Sequence, residues 1–298
     1  MRLASALLLG TSLFLTGACA DAVEPAREAE AGTPITLGVS YTIDSSVYGT
    51  ERTINVYAPE RPSWIEEPLP VVYVIDGGLD QDFIHIAGLS QLTLVNGERV
   101  PTIVVGVETV NRRQEITPAA QNQRYIDAFE GYGGASQFHL FLTDEVRPLI
   151  DANYEHGRTA LMGESLAGLF VVDTYLRHPD SFDDYIAVSP SLWWDDQRLA
   201  RDAGALLAEH EPAARRLYLT MANEGGTMQQ GLDRVMDALT DGAPAGLEWH
   251  YVDRSTDDSH ATIYHHSARD ALGWLYGLPP YPEGELPWYL DPTESGAE

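Results

Sequence analysis

The sequence predicts an α/β architecture in a single domain, a mostly parallel central sheet flanked by helices, over residues 35–278. Three observations carry this. Apolar runs of strand length alternate with segments of helical period along most of the chain, the pattern of parallel strands joined by crossover helices. One such run, residues 159–162, ends in Gly163-Glu164-Ser165-Leu166-Ala167-Gly168 and continues at once as an apolar helical pattern. A chain of 298 residues with 44% hydrophobic residues can fill one large core. No internal repeat is visible.

Taken in order, residues 1–18 read as an export signal. Arg2 supplies the charged start, residues 3–15 an apolar stretch short for a membrane span, and small residues follow. Residues 19–34, rich in Ala and Glu without apolar periodicity, read as a flexible acidic tether. Residues 35–43 and 52–57, joined by a Ser/Gly turn, predict an antiparallel hairpin at a sheet edge. Residues 70–75 predict a buried central strand, followed by Asp76-Gly77-Gly78 and a helix-like run, and residues 102–107 a second buried strand. Phe138, Phe141, Leu142, Val146 and Ile150 give residues 137–152 helical spacing. Strands are then expected just before Ser165 and at 185–189, 217–221 and 247–252. Helices are expected directly after Ser165, over 198–208, around 232–239, and from about 262 to 275. Residues 279–298, acidic and proline-rich, read as an extended tail.

The segment around Ser165 carries the chemistry. Strand, sharp turn with a central serine, then helix is the nucleophile elbow of the α/β-hydrolase fold. A serine at the apex of so tight a turn needs small neighbours two positions away, and Gly163 and Ala167 are small. The helix start would offer the Leu166 N–H, at the positive end of a helix dipole, to a developing oxyanion. A second donor is expected from the loop after residues 70–75, where Gly77, Gly78 and Leu79 offer backbone N–H groups. The serine needs a base and an orienting acid, which in this fold follow in the order Ser, acid, His. Of nine histidines, His260 lies in a loop between the last predicted strand and helix. His250 falls inside that strand, and His265 and His266 inside that helix, so structural roles are expected of all three. Glu224, just beyond the 217–221 strand, is the leading acid, with Asp233, Asp257 and Asp258 as rivals. Trp193 and Trp194 follow a strand at the end of the sheet where substrates bind, and are candidate pocket walls or core residues.

Composition excludes several classes. The net charge is −27, and every basic residue is arginine, so Schiff-base and P-loop chemistry have no lysine to use. A nucleic-acid partner would be repelled, and no basic patch offers a landing site. The same field disfavours highly anionic substrates. Such acidity keeps a protein soluble at high salt, which makes a saline habitat one reading and a genome rich in arginine codons the other. The single cysteine, Cys19, excludes an internal disulfide and a catalytic thiol within the domain. It stands directly after Leu15-Thr16-Gly17-Ala18, which resembles the lipobox of bacterial lipoproteins. Lipidation at Cys19, with the membrane reached only through that anchor, is therefore expected. Ordinary cleavage after Ala18-Cys19-Ala20, giving a soluble secreted protein, is the alternative.

Assembled, the chain resembles the esterase family of α/β-hydrolases that contains the periplasmic enterobactin (siderophore) esterases. The likeness runs from about Tyr41 to Tyr276. It rests on Tyr73-Val74-Ile75-Asp76-Gly77-Gly78, on Ile103-Val104-Val105-Gly106-Val107-Glu108 leading to Arg112 and Thr117-Pro118, and on Gly133-Gly134-Ala135. The elbow, the block from Ser189 to Trp194, and Ser259-His260-Ala261-Thr262 complete it. The resemblance implies hydrolysis of an ester by Ser165 and His260 with Glu224 at the acid position, no metal or other cofactor, and Arg112 or Arg113 near the substrate. Ala167 replaces a common glycine. Gln114 stands where a second arginine often precedes Thr-Pro, which weakens the case for a polyanionic ferric catecholate. A small or medium-sized ester is thus the expected substrate. A siderophore trilactone, a carbohydrate-bound acyl or feruloyl ester, or ligand binding without turnover on the same scaffold, are the alternatives.

Overall fold

The computed structural model describes residues 32–278. The chain divides into two compact units, Met1–Thr36 and Leu37–Glu298. Of the first, residues 32–36 are described and are exposed without regular structure. The export signal, Cys19, most of the tether and the acidic tail lie outside the described residues.

The second unit is an α/β sheet fold. Its strands are β1 Val39–Ser45, β2 Thr50–Tyr57, β3 Val71–Ile75, β4 Ile103–Val107, β5 Thr159–Glu164, β6 Asp184–Val188, β7 Arg215–Met221 and β8 Leu247–Asp253. They form one sheet in the order β1-β2-β4-β3-β5-β6-β7-β8. The β1–β2 and β2–β4 pairings are antiparallel and the others parallel. The expected edge hairpin and parallel body are both present. All five residues of β3 and of β4 are buried, which explains why these strands read as unbroken apolar runs.

The helices are α1 Phe83–Asn96, α2 Arg112–Ile116, α3 Gln123–Ala128, α4 Ala135–Phe141, α5 Arg147–Asn153, α6 Leu166–Arg177, α7 Trp194–Leu207, α8 Gly226–Gly242 and α9 Ile263–Tyr276. The two-residue period of the strands splits the core. Val72 and Val74 face a layer that includes Phe83, Ile86, Ile263 and Leu272 of α1 and α9. Val71, Tyr73 and Ile75 face Phe138, Phe141, Phe170, Leu199 and Leu232 from the helices on the other side. The crossovers thus cover both faces, as a parallel sheet requires.

Three local features depart from the sequence expectation. The helix expected over 137–152 is three pieces, because a π-helical turn, Leu142–Val146, separates α4 from α5. Pro148 sits at the second residue of α5. It has no N–H for the carbonyl four residues back, and the wide turn accommodates its ring. The helices α2 and α3, five and six residues long, are too short to show a period. Finally, α7 opens on Asp195, Asp196 and Gln197 with φ of 48°, 56° and 60°, a left-handed turn made without glycine.

Candidate active site

The elbow forms because β5 must reverse into α6 within one residue. Ser165 takes that residue, with φ 59° and ψ −115°, a region costing roughly 1–3 kcal/mol for a side-chain-bearing residue. Three backbone hydrogen bonds hold it there. Its N–H donates to Val188 O at 2.9 Å, and its carbonyl accepts from Leu169 N and Ser191 N, each at 2.9 Å. A Cβ on Gly163 would lie 2.6 Å from that of Ala167, and one on Gly168 would lie 2.8 Å from Val188 O. Helix and strand pack closer here than side chains allow.

The candidate base and acid meet. Glu224 leaves the end of β7, and its Oε1 lies 2.6 Å from His260 Nδ1. The His260 loop is tied to the same strand end by Arg254 N–H to Met221 O, at 2.9 Å. A carboxylate can only accept, so Nδ1 carries the hydrogen and Nε2 keeps its lone pair for a substrate or serine proton. Two of the rival carboxylates are engaged elsewhere, and the third, Asp257, is exposed. Asp258 pairs with His266 at 2.9 Å and accepts from Thr262 Oγ1, and Asp233 accepts from Gln229. The other histidines have structural partners, as expected: His265 hydrogen-bonds His85, and His250 stacks on Trp274.

The Ser165 hydroxyl makes its hydrogen bond with Ser191 Oγ, at 3.2 Å. Among the described residues no hydrogen bond joins it to His260. Ser191 was not among the residues that sequence reasoning singled out. Its only sequence signal was its place in the Ser189–Trp194 block, where the tryptophans drew attention.

The expected oxyanion donors divide. The Leu166 N–H, at the first turn of α6, has no hydrogen-bond partner among the described residues and stays on offer. Gly77 does not: its N–H extends the sheet ladder to Val107 O at 2.9 Å, which removes it as a donor. The Gly78 N–H is held by Gln81 Oε1 at 2.8 Å, while Gln81 Nε2 is anchored on Thr109. Gly78 can serve only when Gln81 withdraws. The Leu79 N–H has no partner among the described residues.

Two residues expected near the substrate have protein partners. Arg112 directs Nε to Asp76 at 2.6 Å and Nη2 to the Glu164 carbonyl at 3.2 Å. It is a strut between the β3 turn and the elbow, with its side chain 41% exposed and Nη1 without a protein partner among the described residues. Trp194 is buried and donates its indole N–H to Pro118 O at 3.0 Å, so it anchors a loop. Trp193 is partly exposed two residues beyond Ser191, stacked near Tyr125 (centroids 6.0 Å apart) and beside Phe129. Arg113 lies over the Phe129 ring, and Gln114 donates to Tyr132 O.

A second layer of carboxyls backs the elbow. Burial pushes the Glu164 carboxyl up to about 7, with Asp82 and Glu224 adding to the rise and His260 and Arg112 opposing it. Burial, helped by Asp76, pushes Asp82 to about 6. Among the described residues no group of three or more His, Cys, Asp or Glu is arranged to hold a metal ion.

A family model described as "Putative esterase" matches residues 45–270, well over half of the chain. The siderophore enterobactin esterase of Emericella nidulans is 36% identical over 96 residues, covering 29% of this chain and 32% of that protein. The siderophore triacetylfusarinine C esterase of Aspergillus fumigatus is 28% identical over 188 residues, covering 58% and 61%. The ferri-bacillibactin esterase of Bacillus subtilis is 28% identical, covering 48% and 55%. The matched regions thus span between about a third and three fifths of these relatives' lengths. Among solved structures, an IroE-like serine hydrolase from Shewanella oneidensis superposes with a TM-score of 0.69 at 25% identity, covering 80% of each chain. The BES protein from Bacillus cereus gives 0.72 at 21% identity, covering 84% of this chain and all of that one, which is a likeness of fold.

Proposed function

The chain belongs to that esterase family, and from this membership we propose that it is a serine carboxylic-ester hydrolase working through an acyl-enzyme. The observation that carries the reading is a strained serine at the end of β5 together with a histidine whose Nδ1 is 2.6 Å from a carboxylate, the latter two following the neighbouring strands β8 and β7 of the same sheet. Ser165 Oγ attacks the ester carbonyl while its proton passes to His260 Nε2. The carbonyl electron pair moves onto oxygen, facing the Leu166 N–H. Collapse returns that pair, expels the alkoxide, and His260 protonates it as it leaves. Water then repeats the sequence on the acyl-enzyme, and Ser165 departs with the proton from His260. Glu224 holds the imidazole in the required tautomer and stabilises the imidazolium.

The substrate reading is a small or medium-sized ester of the siderophore-esterase type. The relatives above are named for siderophore esters, which supports the class, and the partly exposed Trp193 beside Tyr125 and Phe129 supports an aromatic group near the nucleophile. Export, with Cys19 as lipid anchor in the periplasm or outer membrane, or a soluble secreted form, rests on the sequence. The intact mass of the mature protein separates the two.

The test is labelling by a fluorophosphonate probe together with hydrolysis of graded aryl esters and a catechol trilactone. Wild type should label and hydrolyse, and Ser165→Ala should do neither. A folded wild type that neither labels nor turns over any ester would overturn the hydrolase in favour of a binding protein.

A further inference from the structure

The hydroxyl of Ser191 has one partner among the described residues, and that partner is the nucleophile. Ser191 is buried, with 2% of its surface exposed, and its Oγ lies 3.2 Å from Ser165 Oγ. The contact is built in. Ser191 N–H donates to Ser165 O at 2.9 Å, and Ser189 before it is pinned by its N–H to Thr220 O and held at φ 38°. Trp194 N–H donates to Ser191 O, closing the turn on the other side. A buried hydroxyl placed this firmly is satisfied only through Ser165.

We propose that Ser191 is a further catalytic residue, whose O–H donates a hydrogen bond to Ser165 Oγ while that oxygen carries developing negative charge. The inference rests on the hydrolase reading above. A hydroxyl donates and accepts at once. In the resting site the two serines share a hydrogen, and His260 is not yet engaged. Once the Ser165 proton moves to His260 Nε2, Oγ has only lone pairs to present, and Ser191 turns donor. No proton leaves Ser191 in this step. The same hydrogen bond acts again in deacylation, because Oγ is then the leaving oxygen and gathers charge before His260 returns the proton. Ser191 thus serves the nucleophile oxygen, while Leu166 N–H serves the carbonyl oxygen.

Two variants test this, Ser191→Ala without a donor and Ser191→Cys with a weak one. Both are read by kcat and KM on an aryl ester, by the rate of fluorophosphonate labelling, and by Tm. The expected result is a graded loss of kcat, about tenfold to a hundredfold for Ala and less for Cys, with KM within about twofold and parallel slowing of labelling. A merely structural role would lower Tm and leave the rate per folded molecule unchanged. Ser191→Ala with native Tm and an unchanged or higher kcat overturns the proposal. If Ser191→Ala does not fold, Ser191→Cys at full wild-type kcat overturns it equally. A wild type that neither labels nor hydrolyses removes the esterase reading itself, an outcome distinct from an active wild type whose variants keep its rate.

Discussion

Glu164, one residue before the nucleophile, is held against the elbow at a cost in stability that depends on pH. Its carboxyl titrates near 7, chiefly because burial disfavours the charge, against about 4.3 in an unfolded chain. A carboxyl raised on folding binds more protons in the folded state than in the unfolded one between those two values. Stability therefore falls as pH rises from about 4.3 to about 7, and Asp82, raised to about 6, acts in the same direction. Glu164→Gln removes the charge and should gain roughly 1–2 kcal/mol at pH 8, the full shift being discounted for partial solvent screening. At pH 4 it should gain nothing. Thermal melts of both proteins at the two pH values check this, and an equal effect at both would rule out ionisation as the cause. Glu224 allows the complementary prediction. Glu224→Gln keeps the shape but can present an amide N–H to Nδ1, favouring the wrong tautomer, so kcat should fall by about a hundredfold or more with KM nearly unchanged. Steady-state kinetics on an aryl ester, with Tm as the folding control, reads it. An unaltered kcat would mean that the histidine works without its acid.

The left-handed turn at the start of α7 has a purpose that its neighbours show. Asp195 is buried, and its Oδ1 accepts the N–H groups of Gln121 and Asn122 at 3.0 and 2.7 Å. Tyr125 donates from its hydroxyl to Trp193 O at 2.9 Å, and Trp194 to Pro118. The strained turn thus fastens the 117–129 segment to the aromatic wall beside the nucleophile. Asp195→Ala should destabilise by about 1–2 kcal/mol by removing two hydrogen bonds to a carboxylate, and should raise KM for aromatic esters more than for acetyl esters. Denaturant melts and kinetics on both ester types check it; equal KM changes would separate the clamp from the pocket. Asp196, whose side chain is mostly exposed, carries the strain without the buried contacts. Asp196→Gly should gain about 0.5–1 kcal/mol, because glycine adopts positive φ without a Cβ penalty. Elements of this kind mark the limit of what the sequence displays. The parallel strands were legible because β3 and β4 are buried on both faces and so read as continuous apolar runs. Ser165 was legible because the elbow forces Gly163 and Ala167 to be small. Glu224 and His260 could be read from strand ends and chain order. The donor status of Gly77 and Gly78 could not, since it depends on Val107, thirty positions away, and on a side-chain rotamer of Gln81. Nothing in two adjacent tryptophans says which one the loop at Pro118 will bury. The Ser191 contact with Ser165 likewise exists only once β6 lies beside β5.

At the scale of the whole molecule, charge acts on both fold and substrate. The chain carries 45 acidic against 18 basic side chains, a net charge of −27. The site does not relieve that field, because Arg112 is paired with Asp76 while Asp82, Glu224 and a partly ionised Glu164 flank the elbow. An anionic substrate must approach against this potential, whereas a neutral ester is indifferent to it. Salt separates the cases, since the Debye length shrinks from about 30 Å at 0.01 M to about 3 Å at 1 M. Between those concentrations kcat/KM for an anionic ferric catecholate lactone should rise at least about fivefold, while that for a neutral aryl acetate should stay within about twofold. Parallel melts show whether salt also relieves self-repulsion of the fold, which would raise Tm without distinguishing the substrates. A catecholate rate that is already high at 0.01 M and falls with salt would reverse the argument. It would mean that cationic groups such as Arg113 outweigh the global charge at the mouth of the site, and that an iron-loaded siderophore is drawn in by local attraction.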